Sequence, residues 1–86
     1  MIEKIENGIQ AGAAGDIPFL KECLQTKNWN VNEKDLDERT ALHWAAGNGH
    51  VEMVTFLLQL DDIDINGKDE DGWTPVMIAT SSGRIF

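Results

Sequence analysis

The chain has 86 residues, 42% of them hydrophobic and 26% charged, and a formal net charge of −8. This length allows one small domain, and no apolar run approaches the ~20 residues that a membrane-spanning helix needs, so no membrane association is expected. The acidic balance repels phosphate backbones and argues against nucleic acid as a partner.

The first part of the chain points to an interior, reducing compartment. Its opening segment, MIEKIENGIQ, has no basic region followed by an apolar one, so no secretory signal is expected. Cys23 is the only cysteine and cannot form an internal disulfide. It shares an apolar face with Leu20 and Leu24, and a buried thiol is inert. Neither cysteine catalysis nor a thiol metal site is therefore expected.

The sequence matches itself at an offset of 34 residues. The recurring residues include Gly15, Gly49 and Gly83; Ala11, Ala45 and Ala79; Leu24 and Leu58; Asn32 and Asn66; Asp35 and Asp69; Asp37 and Asp71; and Thr40 and Thr74. Chance rarely places so many matches at one offset, so the chain is interpreted as a repeat array. We place an N-terminal capping unit at 1–34, a full unit at 35–68 and an incomplete unit at 69–86.

The middle unit predicts two helices joined by a turn. Thr40 is a suitable N-cap for the first helix, and Gly49 ends it as a left-handed residue. The apolar stripe of this helix is narrow and consists of Leu42, Ala45 and Ala46. A second helix is indicated by the apolar spacing of Val51, Val54, Leu57 and Leu58.

After Leu60 the pattern becomes extended and polar. Ile63 and Ile65 alternate there as in a strand, within an acidic stretch that continues to Asp71. Thr74 and Pro75 then predict the start of another helix, because proline is well tolerated at the first helical position. Each unit thus consists of a short helix, a turn, a longer helix and a β-like loop.

Two segments, DERTALHWAAGNGHVEMVTFLLQ and DEDGWTPVMIATSSGR, resemble the ankyrin repeat. The resemblance covers about residues 5–86 and implies an all-α ankyrin-repeat solenoid, a single domain over 1–86 of helix-turn-helix units with β-hairpin-like loops, truncated in the third repeat. The first unit departs from the pattern at Gly8 and Gly12, where leucine and alanine are usual. Each glycine in a helix is expected to cost about 0.5–1 kcal/mol. The middle unit has Glu38 where the loop glycine is usual.

The segments RTALHWA, FLLQL and KDEDGWTPVMIATSSGR, with Trp44 and Trp73, resemble the gankyrin family of proteasome regulatory-particle assembly chaperones. This resemblance implies a non-enzymatic, monomeric scaffold, cytoplasmic and nuclear, that binds the C-terminal domain of a proteasomal ATPase subunit through a basic or mixed-charge surface of that subunit. Two alternatives stay open. One is a generic ankyrin adaptor or kinase-inhibitor-like module, and the other is the ankyrin appendage of a larger enzyme.

Stacked repeats of this kind bind partners through loop tips and inner helices. The candidate partner-binding residues are Leu36, Asp37, Arg39, Trp44, Asn48, Glu70, Asp71, Trp73 and Ser81. Trp73 is favoured as an exposed anchor, whereas core packing and partial exposure are equally compatible with the position of Trp44. His43 is expected to join one repeat to the next through its imidazole. No catalytic residue, cofactor or metal site is expected.

Overall fold

The computed structural model describes residues 7–26 and 28–82. Within these ranges the chain forms five α-helices and no strand: α1 (Gly8–Ala14), α2 (Ile17–Thr26), α3 (Ala41–Gly47), α4 (Val51–Leu58) and α5 (Pro75–Ser82). The predicted all-α fold is thereby confirmed. The strand-like interpretation of Ile63 and Ile65 is wrong, because this stretch forms turns. None of the helices in the described ranges has the length and apolar character to cross a bilayer.

The helix boundaries follow from local capping. The Thr40 side chain accepts a hydrogen bond from the His43 amide, and the His43 side chain accepts one from the Thr40 amide, which together form a capping box at the start of α3. Gly49, with φ 75°, donates its N–H to the Ala46 carbonyl just past the end of this helix. α5 begins at Pro75. These three boundaries were predicted from the sequence and are confirmed.

The inner helices α1, α3 and α5 stack side by side, and the outer helices α2 and α4 pack against α1 and α3. Alanines fill the contact between inner helices, since a small side chain lets two helix backbones approach closely. Larger side chains from the outer helices complete the core. The fully buried core residues are Ala11, Leu20, Ala41, Ala45, Leu57 and Ala79.

The buried face of α4 differs from the predicted stripe. Met53, Val54 and Leu57 are buried, whereas Val51 and Leu58 are 52% and 44% exposed. Residues 53, 54 and 57 lie on one side of the helix, and this side faces α3. Val51 and Leu58 stand at the edges of that face, which periodicity alone could not distinguish.

The glycines of α1 serve close packing. A Cβ added at Gly8 would stand 2.4 Å from the Trp29 indole ring, and one added at Gly12 would stand 2.7 Å from the Ala41 Cβ. Both distances are too short for any side chain. The two glycines are therefore required for α1 to stack against its neighbours, and the expected loss of helix stability accompanies this close packing.

Glu38 has φ 61° and so occupies the left-handed region, where Gly72 stands one repeat later with φ 84°. We expect Glu38→Gly to raise the free energy of unfolding by about 0.5–1 kcal/mol. A left-handed L-residue is strained by ~1–2 kcal/mol, and glycine removes this strain but loses more backbone entropy on folding, which offsets part of the gain. Urea unfolding measures the change. The matched control is Gly72→Ala, whose Cβ would meet no atom within 4 Å. Gly72→Ala should destabilise the chain by backbone strain alone. A Glu38→Gly variant that is less stable than the wild type would contradict this account.

Candidate protein-binding surface

Two loops of the same design connect the helical pairs. In the first loop (residues 35–39), Asp35 Oδ1 accepts the N–H groups of Asp37 at 2.9 Å and Arg39 at 3.0 Å. The Asp35 N–H also donates to the Arg39 carbonyl at 2.9 Å, which closes the loop. A single aspartate thus organises a tight turn by satisfying two backbone donors.

The second loop (residues 69–73) repeats this pattern. Asp69 Oδ1 accepts the N–H groups of Asp71 at 2.9 Å and Trp73 at 2.8 Å, and the Asp69 N–H donates to the Trp73 carbonyl at 2.9 Å. Although Asp35 and Asp69 were matched in the sequence by their offset, their shared role in building the loops was not predicted. The recurrence of an aspartate at the first position of both loops was the available signal.

Backbone and side-chain bonds hold the two loops next to each other. The Glu70 N–H donates to the Asp37 carbonyl at 2.9 Å, and Lys34 Nζ donates to the Lys68 carbonyl at 2.9 Å. Arg39 reaches across from the first loop, where its Nε lies 3.1 Å from Asp69 Oδ2. The loops therefore present their tips as one surface.

The ion pair with Arg39 is half-buried. The Asp69 side chain is 2% exposed and the Arg39 side chain 30%. Burial raises the pKa of the Asp69 carboxyl, but hydrogen bonds from the Trp73 N–H, the Arg39 side chain and the Asp71 N–H, together with the positive charge of Arg39, outweigh it. The pKa therefore lies below its ordinary value. The carboxylate remains charged and paired at neutral pH.

Trp44, on α3, packs against the Arg39 side chain. Its indole Nε1 donates to Asp35 Oδ2 at 2.7 Å, and the Arg39 Cζ lies 4.9 Å from the centre of the indole ring. This distance is within the range of a cation–π contact. Trp44 is half-buried, so both uses that its position allowed, packing and partial exposure, are present.

His43 joins the middle unit to the second loop, as the sequence predicts. Its Nε2 lies 2.9 Å from the Trp73 carbonyl, and its Nδ1 lies 3.1 Å from the Thr40 backbone nitrogen. A carbonyl can only accept and an amide can only donate, so the imidazole is neutral with its proton on Nε2. Burial, together with the positive charges of Arg39 and Lys34, lowers the pKa of His43 more than the Trp73 carbonyl and Asp69 raise it.

The predicted loop-tip residues are at the surface. Leu36 is fully exposed, Trp73 is 37% exposed, and the charged tip side chains are exposed as well. We call the loop surface the set formed by Leu36, Asp37, Glu70, Asp71 and Trp73. Beside it, a cavity of about 280 Å³ is lined by Arg39, Asp71, Trp73, Ile78 and Ser81.

Asn48 lies apart from this cavity. Its side-chain amide donates to the Ala13 carbonyl at 2.9 Å, which also receives a hydrogen bond from His50 Nε2 at 2.9 Å. The side chain is exposed, and a role for it in binding stays a prediction. Ile78, which lines the cavity from α5, was not among the predicted binding residues, because the sequence does not show how α5 turns toward the loops.

Across residues 7–26 and 28–82, no group of three or more histidine, cysteine, aspartate or glutamate side chains could hold a metal ion. Cys23, the one cysteine of the sequence, is buried. The arrangement offers a firm, acidic contact surface with an aromatic anchor.

Comparison with known proteins adds a family and several relatives. Residues 9–86 match the family described as ankyrin repeats in three copies. The chain is 46% identical over 62 residues to the human 26S proteasome non-ATPase regulatory subunit 10, covering 72% of this chain and 27% of that protein. It is 36% identical over 70 residues to the Dictyostelium discoideum protein of the same name, covering 81% and 30%.

A relative of another kind is the putative glutaminase 2 of Caenorhabditis elegans. It is 38% identical to the chain over 63 residues, which cover 73% of this chain and 10% of the relative. The chain spans less than a third of the length of each of these curated relatives. What is shared is therefore the repeat segment.

Proposed function

This chain belongs to the ankyrin-repeat family and is a protein-interaction module, and from that premise we propose that it assists assembly of the proteasome regulatory particle. Its partner would be the C-terminal domain of a proteasomal ATPase subunit. The proposal is supported by the relatives that carry the name of a proteasome regulatory subunit. It places the chain in the cytoplasm and nucleus as a monomeric, non-enzymatic scaffold.

The observation that carries the proposal is the loop surface. Trp73 is exposed on a loop whose backbone is held by Asp69 and by His43, and aromatic side chains of this kind dominate binding energy at interfaces. The acidic side chains around it favour a partner with a basic or mixed-charge face, because complementary charge accelerates association and sets orientation.

The proposed mechanism is steric, because the chain holds the partner domain on its loop surface. In this proposal, a partner domain held on the loop surface would be kept from its place in the assembled particle. Binding would therefore delay or order the docking of the ATPase ring on the core particle, and release would allow it. This role needs no chemical step by the chain itself.

A charge-reversed double variant, Trp73→Ala with Glu70→Lys, tests the proposal. We expect it to bind purified ATPase C-terminal domains at least about tenfold more weakly than the wild-type chain, because it removes the anchor and inverts a tip charge. Calorimetric titration against each domain measures the dissociation constant.

The matched control is Val51→Ala with Glu52→Lys, which makes the same kind of change at exposed positions of α4. It should bind as the wild type does. Wild-type chain that binds none of the ATPase domains, or equal weakening by both double variants, would contradict the proposal.

The second candidate function is that of an ankyrin appendage in a larger enzyme. The similarity to a putative glutaminase favours it. Sequencing the complete natural transcript decides between the two, since a catalytic domain encoded in the same reading frame would support the second candidate.

A further inference from the structure

We infer that Asp35 and Trp44 act as positioning residues, which hold the Arg39 guanidinium in one orientation at the edge of the loop surface. The inference deepens the proposed function and relies on it only for the partner used in the binding test. Trp44 thereby receives a role other than direct contact. Asp35, which the sequence did not single out as a functional residue, receives one as well.

The first step is the division of work between the two oxygens of Asp35. Oδ1 accepts the two backbone N–H groups of its own loop. Oδ2 is left for Trp44, whose Nε1 donates to it at 2.7 Å. A hydrogen bond to a carboxylate is short and strong, so it fixes the plane of the indole ring relative to the first loop.

The second step is the contact of that ring with Arg39. The guanidinium carbon lies 4.9 Å from the ring centre, close enough for the positive charge to be attracted to the ring face. Because Asp35 holds the ring, the ring in turn restricts where the guanidinium can lie.

The third step is a hydrogen bond at the edge of the guanidinium. Among the described residues, the Arg39 side chain donates one hydrogen bond, from Nε to Asp69 Oδ2 at 3.1 Å. Asp69 is itself held by two backbone N–H groups of the second loop. The guanidinium is thus fixed by its face and by one edge, while the side chain stays 30% exposed and lines the cavity beside Trp73 and Ser81.

Such fixation matters for binding. A free arginine side chain carries about 2 kcal/mol of rotamer entropy, much of which is lost when a partner immobilises it. An arginine that is already held in place loses less. A partner group that reaches the exposed part of Arg39 would therefore be bound more tightly and in a defined orientation.

Comparison of the two loops shows that the fold does not require this arrangement. The positions that match Arg39 and Trp44 one repeat later are Trp73 and Ile78. The second loop nevertheless closes with the same aspartate bonds as the first. The stacked pair is therefore an addition to the first loop beyond what its turn needs.

Two substitutions separate positioning from folding. Asp35→Asn keeps an oxygen for the loop amides but places an N–H₂ group opposite the indole N–H. Trp44→Phe removes the indole N–H and keeps an aromatic ring. Each variant is expected to bind the ATPase C-terminal domain about 3–10-fold more weakly than wild type, whereas in an Arg39→Ala background neither should weaken binding further.

A second measurement needs no partner. Hydrogen exchange of the Arg39 Nε–H, followed by NMR, should be slow in the wild-type chain and at least about tenfold faster in Asp35→Asn. Glu33→Gln, which removes a neighbouring exposed carboxylate, should leave both exchange and binding unchanged. If no ATPase domain binds the wild-type chain, the proposed function fails while the exchange result still decides the positioning role.

Either of two results would overturn the inference. One is unchanged exchange of the Arg39 Nε–H in Asp35→Asn. The other is weakening of binding by Asp35→Asn or Trp44→Phe that is equally large with and without Arg39, since independent contacts give additive effects.

Discussion

Replacing His43 with alanine is expected to lower the free energy of unfolding by about 2–4 kcal/mol. The imidazole is 1% exposed, so its removal leaves a cavity beneath the second loop. It also leaves the Thr40 amide and the Trp73 carbonyl without the partners that His43 provides. Urea unfolding measures the loss.

His50→Ala is the matched control at the preceding junction between units. His50 is half-buried and its ring contributes one hydrogen bond, to the Ala13 carbonyl. A smaller loss, about 1 kcal/mol, is expected there. Equal losses in the two variants would show that His43 has no special place between the middle unit and the second loop.

The His43 side chain is also expected to make the stability of the folded chain depend on pH. Because the pKa of folded His43 lies below its ordinary value of 6.5, the unfolded chain takes up the proton first as the pH falls. Its contribution to stability is therefore complete above about pH 6.5 and is lost as the pH falls through the folded pKa. Protonated Nδ1 can no longer accept from Thr40, which is the structural reason.

This dependence is measured as a difference between variants. The wild-type chain and His50→Gln should lose stability as the pH falls below about 6.5, and His43→Gln should lose less, because it has no titrating group at that place. The overall net charge of −8 changes the stability of all three chains in the same way. Identical pH slopes for wild type and His43→Gln would contradict the neutral, buried imidazole.

Replacing Asp69 with alanine is expected to lower the unfolding midpoint by about 10 °C or more, because a buried acceptor of several donors is lost at once. The Trp73 N–H, the Asp71 N–H and the Arg39 Nε all bond to this carboxylate. Without it, the second loop keeps the backbone bond between residue 69 and the Trp73 carbonyl but loses both bonds to Asp69 Oδ1, and the first loop loses its link through Arg39. Thermal unfolding followed by circular dichroism measures the change.

Asp71→Ala provides the comparison within the same loop. The Asp71 side chain is exposed, and its backbone N–H remains available to Asp69 after the substitution. A change of about 2 °C or less is expected. The experiment belongs at neutral pH, because the lowered pKa of Asp69 makes its contribution complete above the ordinary value of 3.8 and lost in acid. Similar midpoints for the two variants would show that the loop is held by other contacts.

Local chemistry was enough to predict the elements. Thr40, Gly49 and Pro75 each act on neighbouring backbone groups, so their effects can be derived without knowing where the rest of the chain lies. The matches at an offset of 34 residues predicted that the units would repeat. The exposed loop tips, with Leu36 and Trp73, followed from the same period.

The contacts of His43 could also be predicted from the sequence, because Thr40 is one turn away and the next loop lies at a fixed distance in a stacked array. The extent of the buried helical faces could not be predicted. Val51 and Leu58 have the spacing of buried residues yet are half exposed, since burial depends on how far the adjacent helix extends over α4.

The sequence by itself determined the repeat, the helix boundaries at Thr40, Gly49 and Pro75, and the acidic character of the loops. Apart from the contact of His43 with the second loop, only the tertiary structure decided the contacts between units. The Arg39 guanidinium bonds to Asp69 rather than to the Asp35 carboxylate of its own loop, and Gly12 lies against Ala41. These choices depend on the distance and orientation between elements about 30 residues apart, which the packing of whole helices sets and no local pattern encodes.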